Sequence, residues 1–135
     1  MQDIRILEPL STVMVIDDTE IDRYIAERMM TRHTFATHII KMGSGADALN
    51  YLQASGNKLP QMIFLDINMP GMNGFEFLEQ YESLSDDVKQ QTVIIMLTSS
   101  INPEDIANAS RSPYVKHFVN KPLTFERLSE VRELV

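Results

Sequence analysis

Apolar residues alternate along this chain between two rhythms. Short apolar-rich runs at residues 13–16 (VMVI), 39–42, 62–65 (MIFL), 93–97 (VIIML) and 114–119 are separated by stretches in which apolar positions recur every three or four residues. Short runs suit strands buried on both faces, and the longer spacing suits helices with one apolar stripe. The alternation predicts a βα repeat: an α/β domain with a parallel sheet covered on both sides.

The connecting segments carry helix signals. The first helix opens near Thr19, with Ile21, Ile25 and Met29 as its stripe. The second starts at Ser44, where Asp47 three residues on resembles a capping box; it shows Ala48, Leu49 and Leu52 and stops near Gly56. Pro70-Gly71 and Asn73-Gly74 read as turn dipeptides before a third helix with Phe75, Leu78 and Tyr81 on its face. The polar stretch 83–91 reads as a surface connection. Asn102, Pro103, Glu104 and Asp105 form a cap, a proline at the first helical position and acids favoured by the helix dipole. That fourth helix has a thin stripe of Ile106, Ala107 and Ala109, which predicts loose packing and movement when something binds nearby. Pro122 ends the fifth strand, and Thr124 caps a last helix facing inward through Phe125, Leu128 and Val131.

Composition narrows the picture. A chain of 135 residues, 44% hydrophobic and 23% charged, has the size and make-up of one globular domain. A net charge of -7, with no basic run, argues against a nucleic-acid or anionic-membrane partner. With no cysteine there are no disulfides or thiolate metal sites. The longest apolar run, 93–97, is far below the ~20 residues that span a bilayer, and the N-terminus lacks a basic-then-apolar signal; a cytoplasmic protein is expected. The nine methionines are scattered and read as core filling. His33, His38 and His117 share no ligand spacing and read as surface or core residues.

The chemistry lies where the apolar runs stop. Asp17-Asp18 follows the first run, Asp66 the third, Thr98 the fourth and Lys121 the fifth. In an open parallel sheet, residues just past the carboxyl ends of neighbouring strands meet in one crevice. Three acids there repel one another unless a divalent cation neutralises them, and a phosphoryl group arriving with that cation completes the logic. Each residue alone has a plainer use: an acid pair caps a helix, a threonine satisfies local backbone, a lysine is solvated. Only together do they define a site.

VMVIDD, FLDINMPGMNG, MLTSS and FVNKP, in this order and spacing, resemble the motifs of the receiver domain of bacterial response regulators, over residues 12–135, with 1–11 as an N-terminal extension. The resemblance implies a flavodoxin-like (βα)5 doubly wound fold: a five-stranded parallel sheet in the order 2-1-3-4-5, flanked by five helices. It casts Asp66 as the nucleophile that accepts a phosphoryl group from a histidine kinase or histidine phosphotransfer protein. Asp17, Asp18, Asp66 and the backbone carbonyl of Asn68 would hold Mg2+ or Mn2+. Lys121 would pair with Asp66 or the phosphoryl oxygens, with the bond to Pro122 cis. Thr98 would donate its hydroxyl to a phosphoryl oxygen and, with Phe118, form the switch; Phe118 has the plainer role of a core side chain. Asn68 and Ser100 occupy the positions that tune phosphate lifetime, and neither is an acid. Ser99 departs from the small apolar residue often found after the threonine.

Such a protein is a regulator and not a turnover enzyme, self-catalysing phosphotransfer and dephosphorylation. Its output to a downstream protein would run through the face of fourth helix, fifth strand and last helix, which could also pair two copies. A receiver without an attached effector is expected, unless the chain is a fragment of a longer regulator. A phosphorylation-independent scaffold of the same fold is the alternative. A haloacid dehalogenase-like phosphatase needs an acid two residues after its nucleophile, where Asp66 has Asn68 and Asp17 has Thr19. A flavodoxin-like flavin carrier would cradle phosphate in its first loop, but Asp17, Asp18, Glu20 and Asp22 would repel it.

Overall fold

In the computed structural model, which describes residues 8–99 and 102–135, the predicted runs form five parallel strands. They are β1 (Leu10–Ile16), β2 (Ala36–Met42), β3 (Met62–Asp66), β4 (Val93–Thr98) and β5 (Val115–Asn120), in the spatial order β2-β1-β3-β4-β5. The helices are α1 (Glu20–Arg32), α2 (Gly45–Gln53), α3 (Gly74–Tyr81), α4 (Asp86–Gln91), α5 (Pro103–Ala109) and α6 (Phe125–Arg132). The order is that of the flavodoxin-like fold. Side chains alternate across the strands and build two apolar layers. Met14 and Ile16 of β1, Ile63 and Leu65 of β3, and Ile94 and Met96 of β4 face α2, α3, α4 and α5. Val13, Val15, Met62, Phe64, Ile95 and Leu97 face Ala26 and Met30 of α1 and Leu128 and Val131 of α6. Each fully buried side chain of this kind contributes about 1.5–3 kcal/mol.

Most helix starts match their sequence signals. Ser44 accepts from the Asp47 amide at 3.1 Å, Asn102 from Glu104 at 2.8 Å, and Thr124 from Arg127 at 3.2 Å. Several expectations need correction. The stretch 83–91 is not merely a connection: Asp86–Gln91 forms a sixth helix, α4, pinned by buried Leu84 and Val88. The inward stripe of α1 is Ala26 and Met30; Ile21 and Ile25 lie outside, 61% and 37% exposed, beside Tyr24 at 55%. This rotation brings Asp22 against Lys121 and sets a small residue, Ala26, on the sheet. On α3 the buried residues are Phe77, Leu78 and Tyr81, with Phe75 only half-buried. The thin stripe of α5 is thinner still: Ala109 is buried, while Ile106 and Ala107 are exposed.

Asn73-Gly74 also has a different part from the turn its dipeptide suggested. Asn73 caps α3 in a full capping box with Glu76, and Gly74 is the first helical residue. The turn itself is at Gly71, with φ +79°. Gly74 is needed for proximity: a Cβ there would sit 2.9 Å from the Asp66 carbonyl oxygen and 3.0 Å from the Ile67 Cα. Both obstacles are backbone, so the start of α3 or the end of β3 must move. Gly74→Ala is therefore expected to cost about 1–3 kcal/mol of stability, read as a lower urea midpoint with unchanged slope.

Candidate functional site

The carboxyl edge of the sheet collects the polar strand ends. Asp17 follows β1 directly and is buried; its amide donates to the Met42 carbonyl at 3.0 Å, and its own carbonyl accepts Arg23 Nη1 at 2.7 Å. Its Oδ1 accepts the Thr19 amide at 3.0 Å, which ties the turn before α1; the N-cap itself is Thr19, with no side-chain cap hydrogen bond, so the acid pair is not the helix cap of the plainer reading. Asp18 is exposed at the mouth. Asp66 is the buried last residue of β3. One oxygen from each of Asp17, Asp18 and Asp66 can be chosen so that all three lie within 4.8 Å of one another.

Lys121 enters from the end of β5, where its amide donates to the Thr98 carbonyl at 2.7 Å and the bond to Pro122 is cis. Its ammonium lies 2.6 Å from Asp17 Oδ2, 2.9 Å from Asp22 Oδ2 and 3.5 Å from Asp66 Oδ1. Burial opposes the charge on Lys121, but the hydrogen bonds to Asp17 and Asp22 outweigh it and hold the ammonium well above its usual range. The Asp66 carboxyl is pushed up to about 6, chiefly by burial and next by the Asp17 charge; Lys121 and the Asn68 backbone amide pull the other way.

Thr98 is the buried last residue of β4, one strand over from Asp66, whose register partner is Leu97. Asn68 is exposed just past Asp66. Phe118 is half-buried in β5, paired in register with Met96 and packed on the apolar layer away from the carboxylates. Ser100 lies outside the described residues. The structure thus gathers Asp17, Asp18, Asp66 and Lys121 into one cluster, with Thr98 on its rim. Asp22 was missed as a member. The available signal was its place in the first turn of α1, four residues after Asp18 and directly past the end of β1.

Three carboxylate oxygens within 4.8 Å fit a hard divalent cation, whose ligand shell is built from oxygens at about 2.0–2.6 Å. One ammonium offsets only part of their charge. A doubly wound sheet with an acidic crevice, a buried carboxylate and a lysine at its carboxyl edge defines a phosphoryl-handling α/β domain.

The comparisons narrow that class. A family model, the response regulator receiver domain, matches residues 13–133, and the chain belongs to that family. It is 30% identical over 124 residues to the probable methanogenesis regulatory protein FilR2 of Methanothrix harundinacea, covering 90% of this chain and 78% of that protein. It is 27% identical over 116 residues to the sensory/regulatory protein RpfC of Xanthomonas campestris, covering 86% of this chain and only 15% of RpfC. The crystal structure of a two component response regulator from Cytophaga hutchinsonii superposes with a TM-score of 0.87 at 29% identity, over 94% of this chain and 97% of that one. The chain is a signalling regulator of two-component systems with a phosphoryl-accepting role. Among the described residues no helix is long and apolar enough to cross a membrane.

The raised Asp66 fixes the sign of a stability effect. Between about pH 4 and pH 6 the folded protein binds a proton at Asp66 that the unfolded chain does not. The unfavourable contribution is therefore full above pH 6 and fades as pH falls toward 4. Without divalent cations, Asp66→Asn is expected to stabilise the protein at pH 7.5 by about 1–3 kcal/mol, with most of the gain gone at pH 4. Urea unfolding of both proteins at the two pH values checks this.

Proposed function

We propose that Asp66 is the phosphoryl acceptor of a phosphorylation-controlled switch. The observation that carries this is one buried carboxylate, ending a central strand, with Asp17 and Asp18 within 4.8 Å and the Lys121 ammonium at 3.5 Å. An Asp66 oxygen attacks the phosphorus of a phosphohistidine on a histidine kinase or phosphotransfer protein; the N–P bond breaks and an acyl phosphate forms. The buried surroundings of Asp66 oppose a lone carboxylate and favour its neutralisation. Mg2+ or Mn2+, held by Asp17, Asp18, Asp66 and the Asn68 carbonyl, would supply positive charge against the phosphoryl oxygens. Lys121 gives those oxygens an ammonium and Thr98 a hydroxyl. The chain's own groups thereby assist both the transfer and the later hydrolysis, and Asn68 and Ser100 set water access.

Ile21, Tyr24 and Ile25 form an exposed apolar strip on α1, beside the acidic crevice. This supports docking of the donor protein there, since neighbouring apolar side chains beside the crevice offer a surface that a partner can cover. Output runs through α5, β5 and α6. Only Ala109 buries α5, so the transition of Thr98 and Phe118 would shift it at low cost. His117 of β5 and Glu130 of α6 are paired on the same face, which a downstream protein or a second copy would cover. We read the receiver unit as 12–135 with the extension 1–11 before it, the end of which, Leu10 and Ser11, already belongs to β1, acting in the cytoplasm and on proteins and not nucleic acids.

Intact mass after incubation with acetyl phosphate and Mg2+ tests the assignment. The expected result is a gain of one phosphoryl group that hydroxylamine removes, that Asp66→Asn abolishes, and that chelation of Mg2+ prevents. Full labelling of the Asn variant would remove Asp66 from the role.

A further inference from the structure

The ammonium of Lys121 has three N–H donors, and its two closest partners are Asp17 at 2.6 Å and Asp22 at 2.9 Å. Asp66, at 3.5 Å, is the most distant of the three. Asp22 stands apart from the others chemically. It projects from the first turn of α1, half-buried, and is not one of the three carboxylates that cluster within 4.8 Å. Asp17 belongs to both sets: the same Oδ2 that holds Lys121 sits on a carboxylate a divalent cation would use. Ammonium and cation therefore compete for Asp17. A second carboxylate, outside the cation shell but already in contact with the ammonium, resolves that competition by keeping Lys121 paired when Asp17 is taken.

Building on the assignment of Asp17, Asp18 and Asp66 as cation ligands, we propose that Asp22 is a positioning residue for Lys121. It takes over the ammonium when a divalent cation engages Asp17, and so holds Lys121 at the crevice, ready for a phosphoryl oxygen on Asp66. Without Asp22 the ammonium stays on Asp17 and the cation must displace it unaided. Cation affinity thus depends on Asp22 through Lys121, beyond the general effect of one negative charge nearby.

A double-mutant cycle on Mg2+ affinity separates these effects, with backbone-amide NMR shifts of the full chain titrated with Mg2+ as the readout. Asp22→Asn is near-isosteric at a half-buried position, and Lys121→Met keeps the stem while removing the charge. The expected result is a Kd for Mg2+ raised about tenfold by Asp22→Asn in the presence of Lys121, but only about twofold in the Lys121→Met background. Equal changes in the two backgrounds would reduce Asp22 to a distant charge and overturn the proposal, as would no change in either. Failure of the unaltered protein to bind Mg2+ would instead overturn the ligand assignment itself, and this proposal with it; phosphoryl labelling of Asp66 is a separate readout and stays interpretable in each case.

Discussion

The rest of the structure is organised around one ammonium surrounded by carboxylates. Lys121 touches Asp17 and Asp22 and approaches Asp66, while Asp18 closes the cluster from the solvent side. Four acids against the Lys121 ammonium, with the Arg23 guanidinium bound to the Asp17 carbonyl beside them, leave excess negative charge at the edge of a buried sheet. An ion pair removed from water returns little net stability, because desolvating its members costs several kcal/mol each. Stability must come from elsewhere, and it comes from the two apolar layers either side of β1, β3 and β4, whose central residues are almost wholly inaccessible to solvent. The core carries a site that opposes folding, and that opposition is what makes the site receptive to positive charge and to a group that caps Asp66.

The backbone holds this frustrated cluster in register. Arg23 clamps the Asp17 carbonyl, the Lys121 amide is tied to Thr98, and Gly74 lets α3 begin within van der Waals reach of Asp66. These links fix where the charges sit but leave the side chains able to exchange partners. The surroundings are uneven in firmness. Towards β1 and β3 the sheet is covered by helices with several buried residues, whereas α5, the helix between β4 and β5, is held by Ala109 alone. A change in the charge at Asp66 therefore meets least resistance toward β4, α5 and β5, where Thr98 and Phe118, the proposed switch pair, lie.

Much of this was legible in the sequence, because strands buried on both faces leave unbroken apolar runs and because polar residues ending those runs must gather at one edge. Asp17, Asp18, Asp66 and Lys121 were found that way. What escaped was set by forces that hydrophobic spacing does not register. The face of α1 is chosen by the pairing of Asp22 with Lys121 and by the fit of Ala26 on the sheet, so two isoleucines at helical spacing pointed to the wrong side. Helix α4 is six residues long with Val88 as its single buried residue, too short and polar for a periodic signal. Phe77, and not Phe75, faces the core because the capping box of Asn73 and Glu76 fixes where α3 starts, and with it the phase of the helix.

The choice of lysine for the central cation follows from the same electrostatics. A guanidinium would lock onto one carboxylate through two parallel hydrogen bonds and resist being moved. An ammonium is a compact charge on a flexible stem, and among three carboxylates it finds several pairings of similar energy. Moving between them costs little, since each lost partner is replaced by another already within about 1 Å of bonding distance; Asp66 at 3.5 Å is the furthest. A switch needs states close in free energy and an input that favours one of them. In the proposed role, phosphorylation of Asp66 would supply such an input by replacing a buried, partly suppressed carboxylate with a group that carries more negative charge and more acceptor oxygens. The ammonium would then have a strongest partner where before it had several.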